Sequence, residues 1–439
     1  MLLIYTPERN SRIKYSAEIC FKHIFKVEYK ITTEISEFEQ YTGPGFWYAK
    51  EKLSNKPGII ADEVMMSDVL IVGSPGRSSF KGINILFPTK SYFLPDFDLF
   101  AAVFWYVTRM EEYKYYAEDA DHRFFSENSI ANKIDVVDKP IVNIWIKLFL
   151  DEFLTLFPGL KFDKPTYKYI PSIDVDSAFM YKHKGWIRNI GGLIKDLVKK
   201  NFKDVKKRLN VLIRKEEDPW FCFDRINDLH DKYSLKPYYF FLVANYGKLD
   251  KNVSSRRKSI KKIIFDLYKK GYPIGIHTSY KGNRKNNLWL KELKRLEKIV
   301  GNEIFSSRQH FVFVRFPDTY QSLIKLGIRR DYSMLYPDKP GFRLGTTVPV
   351  PFFDLTSNAA TELWLYPTMI MDVSLTRYQD LTVEEAIKQS SDVINYTKEF
   401  GGTLITLWHN ESLSAYGSWE KWFPVYEEII KMAALDSFK

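Results

Sequence analysis

The sequence of 439 residues contains only two cysteines, Cys20 and Cys222, far apart in the chain. This scarcity excludes a disulfide framework and a cysteine-based zinc site, and it fits a reducing compartment. Long apolar runs are also missing, because the longest ones, at 99–107 and 238–244, are too short to span a membrane. The N-terminus lacks the apolar core of a signal peptide, so we expect a cytoplasmic protein.

The overall composition is that of a globular protein. Apolar residues make up 45% and charged residues 27%, which excludes wholesale disorder, and the length predicts two or three domains. Aromatic residues reach 16%, which fits either rings that stack on sugars or an aromatic core. The formal charge of +11 is compatible with an anionic glycan, a nucleic acid or lipid head groups, and it does not choose between them.

The pattern of elements changes near residues 161–165. Residues 1–163 predict a smaller α/β domain, with strands at 1–5, 58–61, 69–72 and 84–87 and helices at 99–116 and 142–157. In residues 164–439, strands are predicted at 167–173, 237–243, 273–276, 310–314, 328–332, 366–373 and 403–408. Helices are predicted at 223–232, 259–270, 288–300, 320–326 and 383–400. This alternation favours a parallel barrel or a doubly wound sheet, with the chemistry at the carboxyl ends of the strands.

Residues 182–215 form a basic segment with twelve Lys or Arg and only two acidic residues. Apolar residues recur in it at helical spacing, namely Ile187, Ile190, Ile194, Leu197, Val205, Leu209 and Leu212. The pattern predicts a basic amphipathic helix, which can lie on an anionic membrane or cover a groove, or can be a solvated helix packed on the barrel. We do not expect nucleic-acid binding, because the basic residues are not interleaved with aromatic ones.

Charged side chains and histidines collect at the predicted strand ends. The first strand of the second domain ends with Asp174 and Asp176 on one face, and two such carboxylates are costly unless a cation or a shared proton relieves them. Three of the seven histidines, His277, His310 and His409, also lie at strand termini. Aspartates and histidines in a barrel mouth suit a divalent transition metal that activates water, with another histidine as general acid.

The order of these motifs resembles the NodB-type polysaccharide deacetylases of carbohydrate esterase family 4. The chain is similar, more closely, to two-domain proteins of Bacteroidota surface-glycan clusters, in which an α/β domain of unknown function precedes a deacetylase-like domain. The resemblance rests on the phrases at 109–113, 121–124, 173–177, 275–280, 307–311, 341–346 and 407–410. It implies a distorted (β/α)7 NodB-like barrel that removes acetyl groups from N-acetylated sugars.

The resemblance also implies roles for the residues at the strand ends. Asp174 takes the position of the catalytic base, Arg308 orients it, and His409 is the acid that protonates the leaving amine. Val175 occupies the family's metal-ligand position, so we assign that role to Asp176.

The family's histidine motif has a second histidine that is absent after His277. Our hypothesis is that His310 replaces it, which makes Asp176, His277 and His310 the ligands of a divalent metal, with zinc expected and cobalt or nickel as alternatives.

Three further residues are predicted to contact the substrate: Arg343, Tyr280 and Trp408. Arg343 lies in a glycine-flanked loop that either binds a carboxylate or phosphate or is a structural turn. Asp372 either supports a histidine or caps a helix. Arg109, Glu111 and Glu112 are expected to form a salt bridge at the domain interface.

Three functions remain open at this stage. The first is a metal-dependent deacetylase acting on an N-acetylated glycan, or on a lipid-linked or nucleotide-linked precursor, in a surface-glycan pathway. The second is a catalytically degenerate barrel that binds glycans or acts as a scaffold. The third is a metal-independent amide hydrolase that uses Asp174 and His409.

Overall fold

The protein contains two large β-sheets, one on each side of residue 163. A computed structural model describes residues 1–69, 73–114, 121–284 and 287–434. The first sheet has five strands in the order β2-β1-β3-β4-β7, all parallel except that β7 runs antiparallel to β4. Its strands and an adjacent hairpin are β1 (Leu2–Tyr5), β2 (Tyr29–Thr32), β3 (Gly45–Ala49), β4 (Gly58–Ile60), β5 (Arg77–Phe80), β6 (Ile83–Leu86) and β7 (Ser91–Tyr92). The helices here are α1 (Ser11–Glu18), α2 (Ile35–Gln40), α3 (Glu63–Met66), α4 (Leu99–Val107), α5 (Ile130–Lys133) and α6 (Ile141–Leu156).

The second sheet has nine strands in the order β13-β14-β12-β11-β10-β9-β8-β16-β15. Its strands are β8 (Lys168–Val175), β9 (Tyr238–Leu242), β10 (Ile274–Thr278), β11 (Ser306–Gln309), β12 (Arg330–Met334), β13 (Val350–Asp354), β14 (Ala359–Pro367), β15 (Ile370–Met371) and β16 (Thr403–His409). The helices are α7 (Trp186–Val198), α8 (Phe202–Leu212), α9 (Phe223–Asp231), α10 (Lys258–Lys269), α11 (Asn287–Val300), α12 (Asp318–Lys325), α13 (Val383–Phe400) and α14 (Trp422–Ala434). Every pair is parallel except β13 with β14.

This second sheet departs from the predicted seven-stranded barrel. It is a curled half-barrel with β13 and β15 at its edges, and it has nine strands among the described residues. The antiparallel hairpin β13–β14 was not predicted. The prediction relied on strands that alternate with helices, and no helix separates these two strands. The parallel strands still bring their carboxyl ends to one edge, as the alternation of strands and helices predicts.

Several predicted boundaries are wrong. The strand predicted at 310–314 lies at 306–309 instead, and His310 begins a 3₁₀ turn in which Phe311 has φ 61°. The helix predicted at 99–116 ends at Val107, because Arg109 adopts a left-handed conformation with φ 54°. The segment predicted at 182–215 contains two helices, α7 and α8, rather than one. The strand predicted at 69–72 and the end of the helix predicted at 99–116 reach outside the described residues.

The apolar core continues across the two sheets. The rings of Tyr15 and Phe104 each lie 5.0 Å from the ring of Phe353, which belongs to the second sheet. Residue 163 therefore separates the sheets but not the core, and the two-domain division stays a prediction. In the described part of the chain, no helix combines the length and the apolar character needed to cross a membrane.

Candidate active site

A buried ion pair lies at the carboxyl end of β8. Asp174 is 1% exposed, and Arg308 Nη1 donates a hydrogen bond to Asp174 Oδ1 at 2.8 Å. The same guanidinium donates to Ser172 Oγ at 2.8 Å and to the Tyr332 carbonyl at 3.0 Å. Its carbon lies 4.5 Å from the centre of the Phe240 ring. Arg308 is therefore held on several sides and fixes the orientation of the Asp174 carboxylate, whose Oδ2 stays directed toward His277.

Three side chains beside this pair can hold a metal ion. The ligand atoms of Asp176, His277 and His310 all lie within 4.8 Å of one another. His277 Nε2 is 3.2 Å from Asp176 Oδ1, and His310 Nε2 is 3.3 Å from Asp176 Oδ2. One carboxylate and two imidazoles are a common donor set for zinc and related divalent ions.

The hydrogen bonds of the two histidines fit this role. His277 Nδ1 is 2.9 Å from the Arg308 carbonyl, and His310 Nδ1 is 2.9 Å from Asp250 Oδ1. Both partners only accept hydrogen bonds, so each Nδ1 carries a proton, and Nε2 is the nitrogen of each ring that is left to bind a cation. Asp176 Oδ1 is buried and accepts no hydrogen bond from the described residues. A cation would satisfy this oxygen and both imidazole nitrogens, so the residues present fit a divalent metal.

Without a cation, the same carboxylates change the protonation of His310. Burial alone would lower the pKa of His310, but Asp176 and Asp250 raise it to about 9. Burial would raise the pKa of Asp176, and the two histidines hold it well below its usual value instead. The raised pKa of His310 therefore favours a proton where a cation would bind, and a bound cation would have to displace it.

His409, at the end of β16, lines the same cavity as the cluster and has its own carboxylate partner, Asp372. Its Nδ1 donates to Asp372 Oδ1 at 2.9 Å, and its backbone N–H donates to Asp372 Oδ2 at 2.8 Å. Burial opposes protonation of the ring, but Asp372, together with Asp176 and Asp174, raises the pKa of His409 to about 10. The structure thus decides between the two roles considered for Asp372, which supports a histidine.

These groups surround one cavity of about 150 Å³. Its walls include Asp174, Asp176, His277, His310 and His409, so the structure brings together five of the residues selected from the sequence. The ten other wall residues were not predicted to be in the site, and six of them are polar or aromatic, namely Arg123, Gln309, Phe311, Arg377, Tyr378 and Glu411.

Two of these unpredicted wall residues are informative. Arg123 reaches the cavity from the first 163 residues. Gln309 is 1% exposed, and its amide has no hydrogen-bond partner among the described residues.

A much larger cavity of about 1,020 Å³ lies at the other end of the sheet. Its walls include Lys168, Arg330 and Thr403, which are the first residues of their strands. The described residues that line it include no aspartate or cysteine, and the one histidine among them, His23, packs edge-on against Trp364. The candidate site is therefore the smaller cavity, where parallel strands end.

Two of the residues predicted to contact the substrate, Arg343 and Trp408, are not among the wall residues of the smaller cavity. Arg343 is 1% exposed, and its donors are taken by the Glu112 carboxylate and the Leu335 carbonyl, so it joins the two halves of the chain away from the cavity. Trp408 is fully buried with its ring 4.7 Å from Tyr426. Successive side chains of a strand point to opposite faces, so Trp408 faces the outer helices while His409 faces the cavity.

Tyr280 does not line the cavity either. Its ring stacks on Phe313 at 4.9 Å, and its backbone N–H donates to Asp250 Oδ1 at 2.9 Å. A role in substrate binding stays a prediction for this residue. Asp250 is the main residue that sequence reasoning missed, because it lies in an irregular loop after β9 and only the folded chain brings it to His310.

Comparison with known proteins adds a limited context. Residues 2–158 match a family model described as "Family of unknown function (DUF7033)", which covers less than half of the chain. No curated protein matches the sequence.

Solved structures with similar folds include deacetylases and an allantoinase. A candidate polysaccharide deacetylase from Mycobacterium smegmatis has a TM-score of 0.41 at 13% identity, covering 62% of this chain and 86% of its own. Puue allantoinase has a TM-score of 0.33 at 13% identity, covering 48% and 65%. The catalytic domain of a peptidoglycan N-acetylglucosamine deacetylase from Eubacterium rectale ATCC 33656 has a TM-score of 0.28 at 12% identity, covering 63% and 89%. Similarity this low assigns no activity, which has to be argued from the site itself.

Proposed function

We propose that the protein is a metal-dependent hydrolase that removes acetyl groups from the nitrogen of N-acetylated sugars. The observation that carries this proposal is that three different groups of side chains lie around one cavity. These are the arginine-held Asp174, the cluster of Asp176, His277 and His310, and the His409–Asp372 pair. Together they supply a base, a cation site and an acid, which are the groups that amide hydrolysis needs.

Asp176, His277 and His310 would hold the cation, with zinc proposed and cobalt or nickel as alternatives. Such a cation, when bound, supplies Lewis acidity that polarises an acyl carbonyl and makes water easier to deprotonate. Three protein ligands leave coordination positions open, as catalytic zinc sites require.

The surrounding residues would divide the remaining work. Asp174, oriented by Arg308, takes a proton from the attacking water. His409, whose pKa is raised to about 10, gives a proton to the departing sugar nitrogen, and acetate and a free amine leave. Gln309, whose amide has no hydrogen-bond partner among the described residues, is the candidate for hydrogen bonding to the acetamido group of the substrate.

The first test is the metal content of the purified protein after incubation with zinc, cobalt or nickel. We expect close to one ion per chain in the wild type and a large loss in His277→Ala. His183→Ala is the matched control, because His183 is exposed and outside the cluster. A wild type that takes up no metal would remove this mechanism.

The second test separates the alternative functions. Acetate release from N-acetylated oligosaccharides is measured with the metal-loaded protein and with the protein treated with a chelator. Activity that needs the metal supports the deacetylase, and activity that survives its removal supports the metal-independent amide hydrolase. Metal binding and glycan binding without turnover would identify a catalytically degenerate barrel.

A further inference from the structure

The helical hairpin α7–α8 carries a large exposed apolar face. Twenty large apolar side chains are exposed in the described chain, and ten of them lie between residues 186 and 213. The most exposed are Val198 at 77%, Trp186 at 73%, Ile187 at 69% and Phe202 at 66%. An apolar patch concentrated in so short a segment marks an interaction site.

The hairpin is attached to the rest of the protein through polar contacts. Asn189 is the only buried residue of α7, and Val211 is the only buried residue of α8. Arg208 Nη2 bridges the two helices to Asp196 at 2.8 Å, and Arg188 donates to backbone carbonyls at Lys251 and Asn252. The apolar stripe predicted from the sequence therefore faces away from the sheet instead of packing on it.

The same segment is strongly basic. Residues 182–215 contain twelve Lys or Arg and two acidic residues. Lys195, Lys199, Lys200 and Lys206 are exposed and form no ion pair within the described ranges. Unpaired lysines beside exposed apolar side chains match a bilayer interface, where anionic head groups lie next to acyl chains.

We propose that α7–α8 docks the protein on an anionic lipid bilayer, with its apolar face inserted at the level of the head groups. The helices have 13 and 11 residues, so they can lie in the interface but cannot span the membrane. A second copy of the chain is a poorer occupant, because a symmetric contact through this face would bring two sets of unpaired lysines together.

The docking face is connected to the edge of the sheet that carries the cavity. The hairpin follows β8, which ends beside Asp174, and Tyr416 on the loop after His409 donates a hydrogen bond to Asp204 of α8. Resting on the proposed function, this placement assigns the substrate to lipid-anchored N-acetylated glycans. Docking itself is independent of catalysis and can be tested without turnover.

The test is sedimentation of the full chain with vesicles of phosphatidylcholine alone or mixed equally with phosphatidylglycerol. We expect at least tenfold tighter binding to the anionic vesicles. The triple variant Ile187→Ser, Ile194→Ser and Phe202→Ser should bind at least tenfold more weakly. Replacing Lys199, Lys200 and Lys206 by Gln should reduce binding about a hundredfold, at roughly fivefold for each lysine.

A matched control uses exposed apolar residues of other helices. Phe265→Ser with Leu290→Ser, at 42% and 46% exposure, should leave vesicle binding unchanged. A wild type that ignores anionic vesicles, or a hairpin triple variant that binds like the wild type, would overturn the proposal. A lipid-free dimer that the same variant abolishes, without vesicle binding, would show that a second copy covers the face. Acetate release from soluble substrates should be equal in all these variants, so loss of docking is distinguishable from failure of the deacetylase proposal.

Discussion

Two buried arginine–carboxylate centres invite comparison, one at the cavity and one where the first 163 residues meet the second sheet. Arg308 and Arg343 are 0% and 1% exposed, and each pairs with a buried carboxylate. At the interface, both oxygens of Glu112 accept hydrogen bonds from Arg343. Oε1 also accepts one from Arg109 Nε at 2.7 Å. At the cavity, Arg308 binds only Oδ1 of Asp174, and Oδ2 lies 3.6 Å from His277 Nε2.

The difference shows how the same residue pair can close an interface in one place and leave a carboxylate oxygen available beside a cavity in the other. A buried carboxylate with both oxygens bound to arginines contributes to stability only while every partner remains, because a buried charge without a partner is very costly. A carboxylate held by one oxygen keeps the other available to accept a proton. Burial of an arginine therefore does not by itself indicate a candidate site. A better indication is a partner carboxylate beside a cavity with one oxygen that the arginine does not contact.

The largest effect is expected from Asp174→Asn, which keeps the shape of the side chain but removes the base. Acetate release by the metal-loaded protein should fall by between about a hundredfold and ten-thousandfold. Metal content should change little, whereas the melting temperature should fall because Arg308 loses its buried charge partner. A variant with normal turnover would assign the base to another group.

Glu112→Gln should disturb the fold and leave the site intact. Removing this charge leaves Arg109 and Arg343 without full compensation, and the free energy of unfolding should fall by about 3–5 kcal/mol in urea titrations. Asp151→Asn is the control, because the exposed Lys147–Asp151 pair should contribute no more than about 0.5 kcal/mol. Equal effects of the two variants would contradict the distinction between closed and exposed pairs.

Asp372→Asn tests the charge on His409 through pH. Asp372 raises the pKa of His409 to about 10, so the stabilisation from this pair is complete below the unfolded pKa of about 6.5 and is lost as pH rises through about 10. In the variant, the alkaline limb of the pH–rate profile should move toward neutral pH. We expect activity at pH 9 to drop at least tenfold more than at pH 6.5. A parallel loss at both values would indicate a purely structural role.

The smallest effect is expected from Trp408→Phe. The indole faces the outer helices and its N–H has no hydrogen-bond partner in the described part of the chain. The free energy of unfolding should fall by about 1–2 kcal/mol because the ring is smaller. The KM for N-acetylated oligosaccharides should stay within about twofold of the wild type, and a large rise in KM would restore Trp408 as a substrate contact.

Much of the second sheet was readable from local patterns. The helix predicted at 383–400 coincides with α13, since its apolar periodicity begins directly after the capping residues Thr382 and Glu385. Asp174, Asp176, His277 and His409 were selected because parallel strands end at one edge, and all four do line the cavity. The sequence predicts that His310 begins a strand, whereas it reaches the cluster from a 3₁₀ turn that follows the strand of Arg308.

The sequence by itself determined which side chains gather at the strand ends, because periodicity and strand alternation are local properties of the chain. Only the tertiary structure decided which distant groups meet them. It brought Asp250 to His310 and Asp372 to His409, and it formed the ion pair between Arg343 and Glu112. It also turned the apolar face of α7–α8 outward, although the same pattern suits a packed helix. A periodic pattern states that a helix has an apolar side, and the long-range packing of the folded chain decides what that side contacts.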